Sequence, residues 1–196
     1  MLLCKFTVVG ISDLMFGMYV SERKKDDETH DQHERRTWRK KVAVATDGQC
    51  FLQPFALKNG LESASQWLSL KIPGESRKTF TKRFIAGILV VDKLLLYKAD
   101  GSRITLDDVE GRELFVPSDG KRGGSKRVIK IFPTITEWRA DAVVHVFDNK
   151  ITGDVMERHL DAFGKFIGFG SMRVQNGGIN GRCAIEEFAA EEVEVV

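Results

Sequence analysis

The chain has 196 residues, 42% of them hydrophobic and 30% charged, with 30 Lys and Arg against 28 Asp and Glu for a net charge of +2. Such a composition excludes wholesale disorder, a collagen-like repeat and a membrane-embedded protein. At this length roughly 70% of the unfolded chain's surface can be buried, so a single domain over 1–196 needs no disulfide or metal staple.

The chain opens on Met1 to Gly10, rich in β-formers and ending at a glycine, which predicts a strand. A charged insertion spans 21 to 50. Its densest part, Ser21 to Lys41, holds eight bases, six acids and no aliphatic residue, and so is expected to project as a mobile segment without a core of its own. Trp38 to Ala45 alternates as a strand does, and Asp47-Gly48 turns the chain toward Cys50-Phe51-Leu52 as a short hairpin. Pro54 to Ser69 is the first helix, with Leu57, Leu61, Ala64 and Leu68 at helical spacing and Gly60 weakening its middle.

Phe84 to Val91, the longest apolar run, reads as a central strand and is far too short to span a membrane. Residues 92 to 124 form a peripheral elaboration with turn signals at Asp100-Gly101, Glu110-Gly111 and Asp119-Gly120. Arg127 to Phe132 is a strand that Pro133 ends, and Glu137 to Phe147 alternates as a half-buried strand. Ile151 to Ile167 is the second helix, capped by Thr152. Cys183 to Phe188 closes as the last strand, leaving 186–196, with five acids and no base, as an acidic tail. This βαββαβ order predicts an α+β, ferredoxin-like (RRM-like) sandwich with two helices on one face of an antiparallel sheet. Cys4, Cys50 and Cys183, few and odd in number, point to buried reduced thiols in the cytoplasm, and the amino terminus has no secretory pattern.

The most informative segment lies between the second helix and the last strand. From Gly164 to Arg182 it holds six of the eighteen glycines, 164, 168, 170, 177, 178 and 181, together with Lys165, Arg173 and Arg182. Glycines admit positive φ and close approach of main-chain N–H groups, and with these cations they suit a phosphodiester backbone. A long linker whose glycines serve only for turning is the alternative. Neither the nucleotide P-loop pattern nor the dinucleotide fingerprint is present.

A helix, an arginine-bearing glycine-rich loop and a final strand on this core resemble the repeat-associated mysterious protein (RAMP) superfamily, particularly the guide-RNA-binding backbone subunits of CRISPR effector complexes. The resemblance is clearest over Trp138 to Glu186 and extends more loosely to Gly10 to Gly17 and to the charged insertion, which stands where the family has a projecting thumb. It implies that Gly168, Gly170, Gly177, Gly178 and Gly181, with Arg173 and Arg182, contact RNA backbone. It further implies that Arg35, Arg36, Arg39, Lys40 and Lys41 act as thumb cations, and that several copies line one strand. A solitary relative, viral in origin, fits the length equally well.

Three basic clusters accompany the loop: Arg35 to Lys41, Arg77 to Arg83 with Lys82 and Arg83, and Lys121 to Lys130 with Lys121, Arg122, Lys126 and Arg127. Converging on one face they would release counterions from a nucleic acid; singly, each is a solvated surface. Trp38, Phe51, Phe80 and Phe169 are candidates for stacking on unpaired bases or for the core, with Phe169, between loop glycines, the foremost for stacking. His30 and His33 with Asp26, Asp27, Glu28, Asp31 and Glu34 match no compact metal pattern. No nucleophile elbow, zincin motif or paired cysteine ligand occurs.

These features predict a non-catalytic protein that binds single-stranded RNA or DNA, RNA preferred, and self-associates along it, with no cofactor, metal or membrane. The alternatives are a metal-dependent ribonuclease using the 26–34 acids and histidines, and a viral structural or protein-interaction module.

Overall fold

The computed structural model describes residues 1–75, 77–118 and 126–194. It is an α+β arrangement of antiparallel sheets. Strands β1 (Leu2–Gly10), β3 (Phe51–Leu52), β4 (Ile88–Leu89), β5 (Leu94–Tyr97), β8 (Arg139–Val146) and β9 (Cys183–Glu192) form the principal sheet. Its order is β3-β5-β8-β1-β9, with β4 paired to β8 beyond β5. β1 lies between β8 and β9 and is antiparallel to both. A second sheet, order β2-β7-β6, contains β2 (Leu14–Met15), β6 (Glu110–Pro117) and β7 (Arg127–Ile135).

Helices α2 (Pro54–Leu68) and α4 (Gly153–Ala162) pack on each other, and α4 also packs on β1 and β9. Pro54 starts α2 where a missing N–H costs nothing, and Ser69 closes it in the left-handed region at φ 46°. Thr152 caps α4 by accepting from the Val155 N–H. Gly60 leaves room for the Phe163 ring, which a methyl group there would strike. The core between this layer and the sheet includes Phe6, Val8, Leu57, Leu61, Trp138, Val144, Phe163 and Phe169. Cys4, Cys50 and Cys183 are buried and free; burial pushes the first two thiols up to about 11 and the third to about 12. Among the described residues no helix is long and apolar enough to cross a membrane.

Several expected elements differ. Ser21 to Lys41 does not stay without structure: α1 (His30–Thr37) forms inside it and is followed by a 3₁₀ turn, Trp38–Lys41, where a strand is expected. A reciprocal box holds the start of α1, Gln32 N–H donating to Thr29 Oγ1 at 3.2 Å and Thr29 N–H to Gln32 Oε1 at 2.8 Å. The expected hairpin survives as one antiparallel bridge between Val44 and Cys50. The run 84–91 splits into α3 (Thr81–Ala86) and the two-residue β4. A short apolar run suits helix or strand equally, and here Lys58 of α2 donates to the Phe84 and Ile85 carbonyls at 3.0 and 2.8 Å, satisfying the end of α3.

Pro133 does not end β7. Its carbonyl accepts from Phe16 N–H at 2.8 Å, so the proline forfeits a ladder bond only on that side. Within 92–118, β5 joins the principal sheet and β6 pairs along β7. The acids expected in a tail, Glu186, Glu187, Glu191 and Glu192, lie in β9 along β1.

Candidate functional site

The glycine-rich segment leaves α4 through a π-helical turn, Phe163–Ile167, and folds back onto the β1–β2 connection. Ile11 and Ser12 N–H donate to the Arg182 carbonyl at 2.8 and 3.3 Å, Gly181 N–H to Asp13 O at 2.8 Å, and Ser171 N–H to Met15 O at 2.7 Å. The Trp138 indole braces the same connection by donating to Ser12 O at 3.0 Å. Gly168 and Gly181 both sit at φ +72° with their backbones in contact. A side chain at either would meet backbone, which explains glycine there without invoking a ligand.

This corrects the expectation that the loop presents a set of unengaged amides. The N–H groups of Gly168, Gly177, Gly178 and Gly181 donate to Phe163, Val174, Arg173 and Asp13 carbonyls; for the buried Gly168 and Gly181 such a partner is required. Gly170, at φ +73°, is exposed but packs its backbone against the Met15 carbonyl. Phe169 is corrected as well: it is buried, edge-on to Trp138 and Phe163, and is no stacking platform. Phe51 and Phe80 are buried too.

The loop's two arginines and its lysine differ in exposure and pairing. Arg182 is exposed, and neither it nor Arg173 pairs with a carboxylate among the described residues. Arg173 is half-buried, and its Nε is shut from solvent without a hydrogen-bond partner; burial lowers its pKa from the usual arginine range. A guanidinium partly stripped of water and lacking a counter-charge is costly to keep ionised. Lys165, by contrast, is paired to Asp161 at 2.8 Å.

Beside the loop a cleft of about 460 Å³ opens between α1 and the β6–β7 sheet. Met18 and Tyr19 form one lip, Phe132 and Lys130 line the sheet side, Lys41 reaches in from the 3₁₀ turn, and Ser171 of the loop borders it. Loop and cleft meet closely, since a side chain at Gly17 would strike Ser171 Oγ. The fold therefore brings the glycine loop next to the charged segment and the basic strand β7. Tyr19 and Met18 were not among the sequence candidates; their only signal is an apolar pair stranded between Gly17 and the charged run.

The remaining candidate cations divide into two groups. Arg35 pairs with Glu113, Arg36 with Glu22 and Glu28, Lys40 with Glu22, Lys41 with Glu34, and Arg83 with Glu75 and Asp148. Without a carboxylate partner among the described residues are Arg39, which lies 5.1 Å over the Trp38 ring, Lys82, Lys126 and Arg127. Arg127 donates to the Phe115 carbonyl at 3.2 Å. Lys82 and Arg83 belong to α3, which packs on α2 and β4 away from the cleft. Lys121 and Arg122 lie outside the described residues. Among the described residues no three His, Cys, Asp or Glu side chains gather as metal ligands; His33 Nε2 lies 2.9 Å from the Glu22 carbonyl.

The face of the principal sheet away from the helices also carries charge. Asp141 and Glu187 both accept from the Thr7 hydroxyl, at 2.9 and 3.3 Å, and Glu191 stands further along β9 paired with Lys5. Arg139 lies on the same face two residues from Asp141, so the face carries both signs.

No known protein family matches the chain in sequence, and no curated protein matches it. Among solved structures, a chain of the Type III-B Cmr-beta complex, determined by cryo-electron microscopy bound to cognate target RNA, superposes with a TM-score of 0.52 at 8% identity. The match covers 96% of this chain and 60% of that one, so the present chain spans less than two thirds of its neighbour. The likeness is one of fold.

Proposed function

We propose that the chain is a non-catalytic protein that binds single-stranded nucleic acid, RNA in preference, through the phosphate backbone. On this reading the β9-β1-β8-β4 order with α2 and α4 is a ferredoxin-like core of the RAMP type, and copies array along one strand. The observation that carries the proposal is the pair of guanidiniums, Arg173 and Arg182, that meet no carboxylate among the described residues, on a loop whose own hydrogen bonds hold it in place beside a cleft bordered by Lys41 and Lys130. The fold neighbour's target RNA supports the choice of RNA.

The test is fluorescence anisotropy with a labelled single-stranded RNA across a salt series. Arg173→Ala and Arg182→Ala should each weaken binding uniformly across sequences and lower the salt slope by about 1, with unchanged thermal unfolding for the exposed Arg182. Binding unchanged in both variants refutes the proposal. Stoichiometry on strands of increasing length tests the array.

A further inference from the structure

We propose that the cleft beside the loop takes one unstacked base of the bound strand, with Tyr19 as the stacking surface at its mouth. This rests on the backbone-binding reading and adds to it a reason for preferring unpaired strands. Tyr19 is 89% exposed and Met18 40%, so a phenol ring and a thioether stand in water at the edge of a concavity.

Facing them, Phe132 lies on the cleft wall with the Lys41 ammonium 5.7 Å from its ring centroid. Among the described residues that line it, the cleft has one carboxylate, Glu34, which is already engaged by Lys41, by the Ile131 N–H at 2.7 Å and by Lys130 at 3.5 Å. Among the described lining residues Lys41 is paired with Glu34 and His33 Nε2 lies against the Glu22 carbonyl, so a charged occupant meets no unpaired opposite charge deep in the site. A flat, neutral, polar-edged group fits, and its phosphate would fall at the mouth, where Lys130 is 45% exposed and Ser171 leads toward Arg173. A duplex keeps its bases stacked inside and cannot deliver one here without unpairing.

The experiment compares a labelled single-stranded RNA with an abasic strand of equal length and charge, using the wild type, Tyr19→Ala and Tyr19→Phe. Stacking on an aromatic side chain predicts roughly fivefold or greater weakening for the abasic strand, and the same for Tyr19→Ala on the intact strand, with Tyr19→Phe restored. Tyr19→Ala should leave abasic binding unchanged. If the wild type binds intact and abasic strands equally and Tyr19→Ala alters neither, the base site is overturned while backbone binding stands. Weakening of both strands by Tyr19→Ala also overturns it, since the ring would then act on the backbone. If the wild type binds neither strand, the backbone reading falls and the base site with it.

Discussion

Replacing Glu34 by alanine tests how the cleft is held together. The residue is 6% exposed, and its carboxylate ties α1 to β7 by accepting from Lys41 and from the Ile131 N–H. Burial pushes its pKa up, but the hydrogen bonds from Lys41 and Ile131 and the lysine charges outweigh that and leave it below the usual carboxylate range. Without Glu34 the Lys41 ammonium, 9% exposed, keeps only the Ile131 carbonyl at 2.8 Å and the face of Phe132.

Breaking a buried pair from one side costs about 3–5 kcal/mol. An orphaned Ile131 N–H, worth about 1–3 kcal/mol, is part of that sum, and the half-exposed Lys130 adds under about 1. Urea unfolding followed by tryptophan fluorescence should show that loss for Glu34→Ala. The double variant Glu34→Met with Lys41→Met should recover much of it, since no charge is then stranded. The pair's contribution is present above the unfolded carboxylate value of about 4.3 and is lost as pH falls through the lower folded value. A loss under about 1 kcal/mol for Glu34→Ala, or additive single and double variants, refutes the reasoning. RNA binding supplies a second sign: removing an acid from a basic cleft should strengthen it by charge alone, whereas loosened walls weaken it, and weakening is the expected result.

Two further outcomes follow from buried groups. His159 stacks on Phe84 at 4.1 Å with Nε2 buried and unpartnered, and burial lowers its pKa. The unfolded chain therefore takes up a proton that the folded one refuses, so stability should fall below about pH 6.5 by up to about 1.4 kcal/mol per unit until the folded value is reached. Denaturation midpoints of the wild type and His159→Leu between pH 7 and 5.5 check this; equal slopes would disprove it. Gly181→Ala, at φ +72° with the Phe169 carbonyl in the way, should cost well over the about 1–2 kcal/mol of a strained φ alone. Gly101→Ala, at φ +83° with open space around it, should cost only that amount, and thermal unfolding of the two variants should separate them.

The strands β1 and β8, the helices α2 and α4, and the prominence of the loop before β9 were legible because each rests on local pattern. Examples are the alternation through Ala140, Ala142, Val144 and Val146, the helical spacing of Leu57, Leu61 and Ala64, and the Thr152 cap. The charged run 21–41 was not legible. Its helix is stabilised by partners distant in sequence, as when Glu34 accepts from the Ile131 N–H, which lies 97 residues away. Nor was the fate of 84–91, decided by Lys58 reaching across from another helix.

Composition and periodicity thus determined on their own that the chain builds an α+β core and places a cationic, glycine-rich connection before its closing strand. Only the tertiary structure decided which cations face a carboxylate, which glycine amides are already used, and that Tyr19 stands at a cleft. Ion pairing, amide satisfaction and burial depend on what packs alongside, and those neighbours come from remote parts of the chain.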